Sequence, residues 1–144
     1  MKHQLSGVDL QFLADFESCT FKLSEFDHRA HVRLAYVFLV NNSPDEAVEQ
    51  MRAALNRFLD YNGIDPGKFH ETLTRAWILA VHHFMAETPT SDSADSFIEQ
   101  NTVLLDSKIM LSHYSAETLF SDEAKSSFVE PNIEPIPRHD TNAN

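Results

Sequence analysis

The stretch FDHRAHVRLAYVFL, residues 26–39, decides the fold. Its apolar residues recur at helical spacing and do not alternate. Successive helix residues rotate by about 100°. With His28 at the origin, Val32, Ala35 and Leu39 lie within roughly 40° of it, and His31 lies about 60° to the other side, near Phe38. Arg29 and Arg33 fall on the opposite face. The pattern predicts a buried helix whose two histidines point inward and whose arginines face water.

The other long segments carry the same period. Residues 8–18 predict a first helix. The second opens at a Ser24 cap, with Asp27 in the capping-box position, and runs to about Val40. Ser43, Pro44, Asp45 and Glu46 supply the cap, the first-turn proline and the acidic first turn of a third helix. Its Val48, Met51, Leu55 and Phe58 form the inward stripe, and Gly63 stops it. Asp65 and Pro66 open a fourth that reaches about Glu87. TPTSDSADS, residues 88–96, reads as a polar linker, and the segment after it as one or two short helices. A last short helix runs from Ser121 to about Phe128. Only TFKL, residues 20–23, suggests a short extended link. The expected fold is all-α: a compact helical bundle of four main helices plus short C-terminal helices, one domain over residues 1–130. A Pro-containing extended tail, residues 131–144, is expected to lie on its surface and to be disordered at its end.

A chain of 144 residues with 42% hydrophobic content and 11 phenylalanines can bury a sizeable core. Lys plus Arg number 11 against 22 Asp plus Glu, a net charge of −11. That balance disfavours nucleic acid and anionic membranes as partners, since both need clustered cations. Cys19 is the only cysteine, so no intrachain disulfide can form. Neither a signal-type apolar segment nor a membrane-spanning run is present, and a cytoplasmic protein is the expectation. There is no phosphate loop, dinucleotide fingerprint or serine-nucleophile elbow.

Candidate chemistry therefore rests on histidine. In FHETLTRAWILAVHHFM, residues 69–85, Leu73, Trp77, Ala80, Val81 and Phe84 define the inner face. His70 sits close to that face, His83 at its flank, and Glu71, Arg75 and His82 on the outer side. Glu71 and Arg75 have the spacing of a solvated i,i+4 pair. An i,i+3 pair, His28 and His31, joined by His70 from a facing helix, would make a three-nitrogen site for a divalent transition metal, zinc or iron. His113 or Glu17, on the Leu10–Leu13 side of the first helix, could be a fourth ligand, with Thr74 and Tyr114 around the pocket. Three protein ligands leave a position for water or a small-molecule substrate. The alternative is a non-enzymatic helical interaction module, in the form of a homodimer, whose histidines satisfy backbone groups near helix starts. His82 and His139 read as incidental.

The order F-D-H-R-A-H-V-R-L-A-Y, F-H-E-T-L-T-R-A-W, L-L-D and H-Y-S, followed by S-D-E-A-K and a P-x-x-x-P-I-P ending, resembles a group of small helical bacterial proteins of no settled activity. The likeness runs from about residue 12 to 137. It implies a shared fold and no particular reaction, and it places His28, His31, His70 and the His113–Tyr114 region at the group's motif positions.

Overall fold

The computed structural model describes residues 2–139. Among them the chain forms seven α helices: α1 (Gly7–Glu17), α2 (His28–Val40), α3 (Pro44–Tyr61), α4 (Glu71–Glu87), α5 (Ala94–Gln100), α6 (Ala116–Leu119) and α7 (Asp122–Ser126). This is the all-α bundle that the periodicity predicts. Extended pairing among the described residues is limited to one isolated bridge, His3 with Ser91. The expected disordered end of the tail falls on residues 140–144, outside the described residues.

Local capping chemistry sets the helix starts. α3 opens with a complete capping box, Ser43 and Glu46 each bonding the other's backbone amide, and with Pro44 in the first turn. α1 has the same device in Ser6 and Asp9. Three starts differ from expectation, one of them that of α5, which begins at Ala94 behind its Ser93 cap, inside the stretch read as a polar linker. Leu23–Glu25 winds a tight 3-10 turn, so α2 begins after Asp27, whose carboxylate accepts the Ala30 amide at 2.9 Å. Pro66–Lys68 likewise forms only a 3-10 turn. The chain then extends through Phe69, and α4 restarts behind His70, its N-cap.

Two helix ends share one geometry. Beyond α3, Gly63 takes φ +68°, its amide bonds Asp60 O, and the Ile64 amide bonds Leu59 O at 2.9 Å. Beyond α1, Cys19 takes φ +64°, with parallel bonds from Cys19 to Phe16 O and from Thr20 to Asp15 O. Glycine suits this left-handed position, whereas a cysteine must be held there by its surroundings.

α4 is the central element, packed against α2, α3 and α7. Its residues 76–81 are all buried, so the amphipathic pattern gives way to apolar character all round. The α3 stripe of Val48, Met51, Leu55 and Phe58 is buried as predicted. α1 turns differently: Asp9, Phe12 and Phe16 face inward, while Leu10 is 55% exposed. Because α1 covers that side of α2, Arg33 is not on a wet face. Its guanidinium lies 4.8 Å from the centroid of the Phe12 ring and 3.3 Å from the Asp9 carboxylate. Arg29 does face water, paired with Asp95. The expected Glu71–Arg75 pair is also replaced. Glu71 takes a two-pronged bond from Arg52 of α3, at 2.8 and 2.6 Å, which holds its carboxyl below the usual range, and Arg75 reaches Asp45.

Two seams finish the bundle. Near its start the chain is sewn to the α4–α5 connection. The His3 ring bonds Ser91 Oγ and Met85 O, both at 2.7 Å, the Gln4 amide bonds Ser91 O, and the Tyr36 hydroxyl bonds Gln4 O. After α7 an arm, residues 129–139, runs over the surface. The Tyr114 hydroxyl donates to Val129 O at 2.6 Å, the Ile133 amide bonds His113 O, and Ile136 is buried.

Candidate functional site

A cavity of about 390 Å³ lies where the start of α2 faces the start of α4. His28, His31, His70 and Thr74 all line it. Phe26, Leu55, Leu59, Leu73 and Trp77 supply apolar wall, and the exposed Asp27, Lys68 and Ser107 complete it. The three histidines of the sequence reading therefore share one space.

Their nitrogens are not equally available. His70 Nδ1 accepts the Leu73 amide at 3.0 Å, and its Nε2 lies 2.8 Å from Leu119 O. An amide only donates and a carbonyl only accepts, so Nε2 carries the proton and no lone pair is left over. The Thr74 hydroxyl closes this first turn by bonding His70 O at 2.8 Å. His28 Nε2 donates to Leu104 O at 2.8 Å, and its ring meets Trp77 edge-on at 4.5 Å. His31 has no hydrogen-bond partner among the described residues, yet no buried side-chain nitrogen is stranded. Its polar edge therefore opens on the cavity. Burial first, and the neighbouring His28 second, push its pKa down to about 4, so the ring is neutral at pH 7.

His70 thus commits both nitrogens, His28 one and His31 neither. The trio lines a cavity but does not converge as a ligand set. The proposed fourth ligands lie elsewhere. Glu17 is exposed at the end of α1, and His113 Nδ1 bonds Glu134 O of the arm at 2.8 Å. Tyr114 also serves the arm: burial, then the nearby Glu130, push its hydroxyl up to about 12. Thr74 alone of the two expected pocket residues lines the cavity.

One group among the described residues does bring three ligating atoms within 4.8 Å of one another: His83, Glu87 and His139. Two imidazoles and a carboxylate at that spacing could hold a metal ion. His83 and Glu87 sit at i,i+4 on α4, a signal present in the sequence. The third member comes from the arm, 56 residues beyond His83, and no local pattern announces it.

No family model, curated protein or solved structure matches the chain. No helix among the described residues is long and apolar enough to cross a membrane.

Proposed function

We propose that the cavity between α2 and α4 binds a small, uncharged, flat molecule carrying one hydroxyl, of the phenol class. The observation that carries this reading is the unpartnered His31 edge beside the apolar surface of Phe26, Leu55, Leu59, Leu73 and Trp77. Ligand sites are typically apolar clefts of about 300–1,000 Å³ with few polar groups, and this cavity falls in that range. Aromatic surface from Phe26 and Trp77 favours a flat body. Neutral His31 offers a lone pair to a hydroxyl and no positive charge to a carboxylate, and the one lysine of the lining, Lys68, is exposed and accompanied by the carboxylate of Asp27. The net charge of −11 also disfavours anions.

The low His31 pKa further separates binding from catalysis. A general base works best with a pKa near the operating pH. An imidazole at about 4 accepts a hydrogen bond well at pH 7 but removes protons poorly. The reading is accordingly a binding protein.

Trp77 is the only tryptophan and lines the cavity, so its fluorescence reports occupancy. Para-cresol should change it saturably and benzoate should not. His31→Leu should weaken para-cresol about tenfold, the worth of one hydrogen bond. No saturable response to para-cresol, or equal affinity in His31→Leu, would overturn the assignment.

A further inference from the structure

We infer that His83, Glu87 and His139 form a site for a zinc-class divalent ion that clasps the C-terminal arm onto α4. This site is separate from the cavity. It lies near the end of α4, whereas His70 caps its start. At 1.5 Å per residue the two are about 20 Å apart.

His83 Nδ1 lies 2.8 Å from His139 Nε2, and the two rings meet edge to edge, with centroids 5.0 Å apart and planes 19° from parallel. That contact needs one protonated nitrogen and one lone pair. An ion between the rings replaces the shared proton, which moves to the far nitrogen of its own ring. Both imidazoles then stay neutral, and each turns a lone pair toward the ion. With metal–nitrogen bonds near 2.0–2.1 Å and tetrahedral angles, the nitrogens would open to about 3.3 Å. That is a small movement for a half-buried side chain on a surface arm. Glu87, one turn after His83, adds an exposed carboxylate to the same group. Two nitrogens and one oxygen suit zinc and its neighbours, whereas magnesium or calcium prefers all-oxygen sites. Three protein ligands leave one position for water.

The arm is already positioned for this role. Ile136 is buried three residues before His139, so the histidine reaches α4 along a docked segment. Closing the site with an ion would make arm docking depend on metal.

The test uses the full, untagged chain stripped with a chelator and titrated calorimetrically with zinc chloride. The expected result is one ion per chain. Affinity should fall at least 100-fold in His139→Ala and in His83→Ala, and about tenfold in Glu87→Gln. His82→Ala controls for loose binding by neighbouring imidazole and should change affinity less than threefold. His139→Ala alters only the end of the arm, so its loss of affinity could not be ascribed to a failure to fold. Zinc should also slow tryptic cleavage after Arg138 in the unsubstituted chain and not in His139→Ala. Absence of saturable 1:1 binding, or unchanged affinity in His139→Ala, overturns the site. Para-cresol binding in the cavity is expected with or without zinc, so the two proposals fail separately.

Discussion

Asp9 of α1 accepts, through Oδ2, the backbone amide of Ala94, the first residue of α5, at 2.9 Å. The same carboxylate completes the α1 capping box through the Ser6 amide at 3.0 Å and meets the Arg33 guanidinium at 3.3 Å. It is fully buried. One side chain therefore satisfies free amides at two helix starts and neutralises a half-buried arginine.

Removing it should leave two amides and one guanidinium without their partner. Asp9→Ala is expected to destabilise the fold by about 3–5 kcal/mol, the range for breaking a buried pair. Asp9→Asn keeps the shape but loses the charge, and should fall between. Urea unfolding followed by circular dichroism checks both. A loss below about 1 kcal/mol for Asp9→Ala would show that water replaces the carboxylate without penalty.

His31 gives a pH prediction with a definite sign. Its folded pKa of about 4 lies below the ordinary 6.5. Between those values the unfolded chain binds more protons, so stability rises with pH across this window. The contribution is complete above about 6.5 and is lost as pH falls toward 4. It amounts to at most about 3 kcal/mol at neutral pH. His31→Gln should flatten the stability–pH curve in this window, as read by thermal unfolding at closely spaced pH values. An unchanged slope would sink the idea that His31 is buried neutral.

The double role of His70 predicts a graded series. His70→Ala removes both the α4 cap and the tie to Leu119, for about 2 kcal/mol in total. His70→Asn can still cap and should lose only about half as much. Chemical denaturation of the two variants side by side separates the contributions. Equal losses would mean that the cap adds nothing.

How far this was readable in advance varies by residue. Ser43, Pro44 and Glu46 announce α3 because a capping box is complete within four residues. The inward turn of His28 and His31 follows from the period of α2 alone. His70 was harder: Asp65-Pro66 looks like a helix start too, and only the 3-10 turn shows that the helix restarts later. Arg33 and Glu71 could not be placed, because α1 covers one and α3 supplies the partner of the other. His139 meets His83 only because the arm crosses α4, a path set by Tyr114, His113 and Ile136 together.

Gly63 tests the shared helix ending. With φ at +68°, Gly63→Ala must carry a Cβ in the left-handed region, although nothing lies within 4 Å of where it would sit. The expected loss is about 1–2 kcal/mol, from backbone strain alone. Thermal unfolding measures it, and a neutral result would show that the turn can relax out of that region.

The seam formed by His3, Gln4, Tyr36 and Ser91 carries a consequence for the order of assembly. His3 meets partners 82 and 88 residues away, whereas α2, α3 and α4 join through short connections. Closing a long loop costs more entropy than closing a short one, so nearby helices gain contacts earlier on the way to the native state. The first strokes of folding are then expected in the α2–α4 hairpins, and the N-terminal segment docks after the transition state. Tyr36→Phe, which removes the hydroxyl's ties to Gln4 and Ser91 and so loosens that segment, should accelerate unfolding while leaving the refolding rate nearly untouched.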